Sequence, residues 1–127
     1  MPAYDASLFD PPAPLARVIL RNFNGVAVSD VQMLIDSGAD VTLVPRQSAD
    51  QLGLHTDSNE TCELMSFDGS RSISQVVELD LIFLRRAFRG RYLIIDQECG
   101  ILGRDVLNHI ALLLDGPRLS WDEKEGE

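Results

Sequence analysis

Apolar and polar residues alternate along much of this chain, and the alternation lays out a series of short strands. In residues 16–21, Ala16, Val18 and Leu20 fall on one side and Arg17, Ile19 and Arg21 on the other, as in a half-buried strand. Asn24-Gly25 is a hairpin turn signal. Residues 26–35 return as a second strand that ends in the apolar run Met33-Leu34-Ile35. A short strand over residues 41–44 is stopped by Pro45, and residues 48–52 suit a helical turn ended by Gly53. Residues 61–65 and 73–84 read as the arms of a long hairpin, the second alternating Val77, Leu79, Leu81 and Phe83 against Glu78 and Asp80, with Phe67-Asp68-Gly69-Ser70 at the tip. Residues 91–96 are another strand, leading to Ile101-Leu102-Gly103. In residues 104–111 the period changes: Val106, Leu107, Ile110 and Ala111 fall three and four apart, which predicts a helix. Residues 111–114 turn back into strand, Asp115-Gly116-Pro117 makes a turn and Leu119-Ser120-Trp121 a terminal edge segment. Four of the six prolines lie in residues 1–15, which read as an extended N-terminal arm, and residues 122–127 read as an acidic, disordered tail.

One stretch in this pattern carries chemistry. Met33-Leu34-Ile35 delivers Asp36 to the start of a tight turn, Ser37-Gly38-Ala39-Asp40, in which Ser37 offers a hydroxyl and Gly38 permits a close backbone approach. Asp-Ser-Gly alone is also an ordinary turn sequence. Further on, Ile101-Leu102-Gly103-Arg104-Asp105-Val106-Leu107 again runs apolar residues into a glycine and a charged pair. Together, in this order, the two segments resemble those of the retropepsin-like aspartic proteases, over residues 16–121. The resemblance implies a mostly all-β fold, a small closed barrel with one short C-terminal helix. The ending Leu112-Leu113-Leu114-Asp115-Gly116-Pro117-Arg118-Leu119 looks more like cellular or bacterial members than viral ones.

Length then changes the picture. With 127 residues the chain holds one domain, whereas two pepsin-like lobes need roughly twice that length. It carries a single Asp-Ser-Gly. A two-carboxylate site would take its second Asp from another copy, which predicts a two-fold homodimer with the site on its axis. A net charge of −9 at pH 7 argues against a nucleic-acid partner. The basic residues Arg85, Arg86, Arg89 and Arg91 read as a solvated hairpin end, the sharper reading being selection of acidic substrates. Cys62 and Cys99 show no ligand spacing and read as free thiols in a reducing compartment. His55 and His109 are the only histidines, so no catalytic metal or other cofactor is expected. Neither a membrane-length apolar run nor a signal-like start is present, and the cytoplasm is the default location.

By the resemblance, Asp36, Ser37 and Gly38 form the catalytic turn. Gly38, Ala39 and Asp40 contact an extended peptide, together with a flap tip at Met65, Ser66, Phe67, Asp68 and Gly69. Ser37, Gly103, Arg104 and Asp105 serve assembly, Arg104 pairing with Asp40 or with the other subunit, and the arm helps to hold the subunits together. The alternatives are a helix-start charge pair at Arg104-Asp105 and a loose N-terminal tail. At the level of function they are a catalytically silent dimer that binds peptides or scaffolds an assembly, and an unrelated β-barrel binding module in which Asp36 caps a turn.

Overall fold

The computed structural model describes residues 2–54, 61–65 and 71–125. Strand β1 (Tyr4–Asp5) pairs with the start of β2 (Ala13–Arg21), which runs antiparallel to β3 (Ala27–Ile35). Ala16, Val18 and Leu20 point into the core, as their alternation predicts, and are met from β3 by Val31, Met33 and Ile35. The turn between the two strands is organised less by Asn24 than by Asn22. Its buried side chain accepts the N–H groups of Asn24 and Val26 at 2.9 and 3.0 Å and donates to Leu52 O at 2.9 Å. Gly25 takes φ 92°, which a side chain disfavours.

β4 (Leu43–Pro45) runs into the short helix α1 (Arg46–Gln51), two residues earlier than expected. β5 (Thr61–Met65) pairs with the first part of the long β6 (Arg71–Phe83), from Thr61 opposite Gln75 to Met65 opposite Arg71. The second part of β6 pairs with β7 (Arg86–Ile95) through Leu84 and Arg85, both at positive φ, the backbone twist that suits a two-residue hairpin. β7 thus starts five residues before the expected strand. Arg86, Arg89 and Arg91 are exposed on it, Arg89 and Arg91 two residues apart on its outward face and Arg86 at the hairpin end.

β8 (Gly100–Leu102) leads to α2 (Arg104–Leu107), and β9 (Leu112–Asp115) and β10 (Ser120–Glu123) form a separate hairpin. α2 is shorter than the helix predicted over residues 104–111. The His109 and Ile110 N–H groups bond to Val106 and Leu107, one residue closer than in an α-helix, which tightens the last turn and turns Ile110 onto the core. The ends also differ from expectation. Asp122 and Glu123 continue β10 opposite Leu113 and Leu112 instead of starting a disordered tail. The arm folds back on its own chain: Tyr4 N–H donates to Leu119 O at 2.8 Å and Trp121 N–H to Pro2 O at 3.0 Å. Buried Trp121 fixes this corner by donating its indole N–H to Leu15 O at 3.1 Å and packing on Phe83.

The main sheet has the order β1-β2-β3-β8-β4-β7-β6-β5, and a further β2–β6 pairing closes the six strands from β2 round to β6 into a barrel. Val77, Leu79, Leu81 and Phe83 fill it from β6. The crossing that shapes the site is β8, which lies parallel to β3 and antiparallel to β4, between two strands that precede it by more than fifty residues. No helix among the described residues is long and apolar enough to cross a membrane.

Candidate active site

Asp36 leaves the end of β3 where β8 lies alongside, and its N–H donates to Leu102 O at 3.0 Å, one step beyond the parallel ladder. Its Oδ1 accepts the Gly38 N–H at 2.9 Å, and its carbonyl accepts the Ala39 N–H at 3.1 Å. Asp36 is thus partly exposed at the head of a closed turn, with Ser37, Gly38 and Asp40 exposed around it. A Cβ on Gly38 would stand 3.2 Å from Asp36 Oδ1, so a glycine leaves that hydrogen bond room.

The second motif closes under this turn. Arg104 N–H donates to Ala39 O at 2.9 Å, and its guanidinium donates to Ser37 O at 2.8 Å and pairs with Asp40. One side chain therefore ties both ends of the turn to α2. Gly103 makes the contact possible, because a Cβ there would fall 2.4 Å from Val41 O. Gly100 is as constrained, with Leu43 O 2.7 Å from its would-be Cβ. β8 can pass between β3 and β4 only with glycines at these points.

Thr42 completes the frame, and sequence reading did not single it out. Fully buried, it donates its Oγ1–H to Asp105 Oδ1 at 2.6 Å and accepts the Gly103 N–H at 3.0 Å, while its own N–H donates to Asp105 Oδ2 at 3.0 Å. A signal was present: Thr42 shares the inward face of its strand with Val44, and a hydroxyl on a buried face needs partners. Both oxygens of Asp105 are thereby engaged by Thr42, and Asp40 is held by Arg104. Neither is placed to act as a second carboxylate beside Asp36.

Of the remaining expected site residues, Met65 ends β5 opposite Arg71, so the two arms of the hairpin pair up to the tip. Ser66, Phe67, Asp68 and Gly69 lie outside the described residues, as does His55. Two titratable groups near the frame are poorly suited to proton transfer. Burial pushes the Tyr92 phenol up to about 12, with the Asp105 and Asp80 carboxylates adding to it, and its Oη donates to Phe88 O at 2.6 Å. Burial likewise raises the Cys99 thiol. Asp36 is left as the chemically available group in the turn.

Residues 21–106 match the model of a family described as aspartyl protease. Among solved structures, the fold is similar to a retropepsin-like aspartic protease from Rickettsia conorii, at 16% identity over 94% of each chain with a TM-score of 0.64. It is also similar to the EIAV protease complexed with the inhibitor HBY-793, at 19% identity over 76% of this chain and 86% of that one, with a TM-score of 0.55. No curated protein matches the chain.

Proposed function

Since the chain belongs to the aspartyl protease family and has the retropepsin-like fold, we propose that it is an endopeptidase working as a homodimer, each protomer giving one Asp36. The observation that carries this reading is the commitment of the neighbouring acids. Asp105 is engaged by Thr42 and Asp40 by Arg104, so a site needing two carboxylates takes its second from another copy.

Two Asp36 carboxyls about 3 Å apart hold one proton between them, because both cannot ionise cheaply at that distance. The ionised one takes a proton from a bound water, whose oxygen attacks the scissile carbonyl. The protonated one gives its hydrogen to the carbonyl oxygen as charge develops there. Transfer of the water's proton from the first Asp36 to the leaving amine breaks the C–N bond. The hydroxyl formed on the former carbonyl oxygen returns its proton to the second Asp36 as the carboxyl product forms, restoring the shared state. The substrate binds as an extended strand, its backbone against Gly38 and Asp40 and a side chain against Ala39. Met65, Ser66, Phe67, Asp68 and Gly69 act as the flap that closes over it and excludes water. Ser37 interlocks the two turns across the axis, while Gly103, Arg104 and Asp105 hold each turn in place. The free thiol at Cys99 is in keeping with a reducing compartment such as the cytoplasm.

The test is cleavage of an unstructured protein at high enzyme concentration, from acid to neutral pH, by the wild type and by Asp36→Asn. The expected result is cleavage that falls by about 10²–10⁴-fold or more in the variant, with its sedimentation unchanged. A wild type that sediments as a dimer yet cuts nothing at any pH would overturn the proposal in favour of a silent peptide-binding or scaffolding dimer.

A further inference from the structure

Asp80 is a buried carboxylate on the outward side of β6, and proteolysis at Asp36 has no use for it. The strand register sets it between Arg21 of β2 and Arg89 of β7, in one row across three strands. Arg89 donates to both its oxygens through Nε and Nη2, and Arg21 to one through Nη2. The arginines themselves stay accessible, with 41% of the Arg21 side chain and 68% of the Arg89 side chain exposed. Arg89 also lies over the half-exposed Phe23 ring, 4.3 Å from its centroid. A buried acid and an aromatic ring thus hold two long side chains still, which lowers the entropy cost of further hydrogen bonds. Arg21 Nε and Nη1 and Arg89 Nη1 have no hydrogen-bond partner among the described residues. Two positive charges meet one negative charge, so the row keeps a surplus positive charge in a chain of net charge −9.

The next row on the same face is apolar. Ile19, Ile82 and Ala87 stand side by side across the same three strands, the isoleucines half-buried and Ala87 exposed. On the other side, Glu78 stands opposite Arg91 at 3.9 Å, a balanced pair. Rows two residues apart along a strand are separated by about 6.5–7 Å, which is also the spacing of alternate side chains in any extended peptide. The face lies well away from the catalytic turn. β2 pairs Leu15 with Leu34, close to Asp36, and Arg21 with Ala27 at the other end. From Leu15 to Arg21 the strand rises about 20 Å, at roughly 3.3 Å per residue.

We propose that this outer face docks an extended acidic segment of a protein partner. One carboxylate of the segment lies against Arg21 and Arg89, and an aliphatic or aromatic side chain two positions away lies against Ile19 and Ile82. Charge complementarity selects this occupant. The acidic remainder of the surface repels such a segment, and the Arg21–Asp80–Arg89 row attracts it. The planar N–H donors of a guanidinium match a carboxylate, and the spacing of the two rows matches alternate residues of the segment. A nucleic acid would set a continuous run of phosphates against the net negative charge. The segment is a docking contact and not the stretch that is cut, so neither cleavage nor dimerisation is required for it.

The test is fluorescence anisotropy on the full chain carrying Asp36→Asn, so that no probe is cleaved. The probes are three short labelled peptides: one with glutamate and leucine two positions apart, one with lysine in place of that glutamate, and one with the glutamate and leucine adjacent. The first is expected to bind about tenfold or more tighter than the second, and about threefold or more tighter than the third, whose leucine points away from the isoleucine row. Ala87→Glu, at an exposed position, adds a carboxylate to the face without touching Asp80. It should keep the circular dichroism of its parent and weaken the first peptide about tenfold or more. Gln51→Glu, which adds the same charge on α1, should leave binding unchanged in 0.1 M salt, where the Debye length is about 10 Å. A first peptide that binds no better than its lysine counterpart, or that binds Ala87→Glu as tightly as the parent, would overturn the docking face. Displacement of the first peptide by tripolyphosphate, with no preference for alternate over adjacent leucine, would overturn it in favour of a simple anion site. Asp36 is replaced in every protein measured, so these results leave the protease reading untouched.

Discussion

Thr42 contributes three hydrogen bonds from one buried position, two with Asp105 and one with Gly103. Thr42→Val keeps the shape and the backbone N–H but leaves a buried Gly103 N–H and a carboxylate oxygen without the hydroxyl. An unmet buried group costs about 1–3 kcal/mol. The expected outcome is a loss of that size in urea denaturation, with a lower cleavage rate as the Asp36 turn loosens. Gly103→Ala should cost at least as much, since its Cβ meets a backbone oxygen that cannot rotate away. Legibility at this scale followed how local each signal was. Asp36-Ser37-Gly38 and Gly103-Arg104-Asp105 announce themselves because neighbouring residues define each turn. Thr42 and Asn22 act through partners 63 and 30 positions away in the chain, and each resembles an ordinary strand or turn residue beside its sequence neighbours.

At the scale of elements, β6 shows where alternation succeeds and where it misleads. Val77, Leu79, Leu81 and Phe83 are inside as the period of two predicts, but Asp80, on the opposite face, is also buried, at 3% exposure. Arg89 donates to both its oxygens at 3.0 and 3.2 Å and Arg21 to one at 3.3 Å, while Arg89 also stacks over Phe23. A polar residue in an outward position reads as solvated unless the side chains that cover it are known. The Arg89 guanidinium, aided by Arg21, holds the Asp80 carboxyl below the usual carboxylate range against the opposing effect of burial. A depressed folded-state pKa stabilises the fold above the unfolded value, about 3.9, and that contribution is lost as pH falls through the folded value. Asp80→Asn should therefore lower the melting temperature near neutral pH, and the gap to wild type should narrow as pH falls below the unfolded value of about 3.9. Melting curves of both proteins across acid pH give the check, in a range where an aspartic protease would be assayed.

For the whole molecule, the proposed sharing of the site between two copies would make activity depend on concentration. Specific activity should rise with protein concentration and level off as dimer saturates, which a dilution series followed by cleavage rate would show. The net charge of −9 on each protomer opposes association. Salt screens that repulsion, with a Debye length of about 10 Å at 0.1 M. Moderate salt should accordingly tighten the dimer and shift the activity curve to lower concentration, as sedimentation across ionic strength would test. At this scale the barrel could be read from the chain. The pairing of arm with β10 could not, because it joins residues 2–4 to 119–121 with no local pattern to signal it.

The passage of β8 between β3 and β4 also imposes an order in time. A ribosome that has released residues 1–99 has made Asp36 and its turn but neither Leu102, which receives the Asp36 N–H, nor Arg104, which braces Ser37 and Asp40. Until β8 is made, β3 and β4 have partners only on their outer sides, β2 and β7, and the edges that will flank β8 have none. The frame of the turn can form only after the glycine-bearing segment at 100–103 is in place, so the turn gains its floor later than its own residues are made.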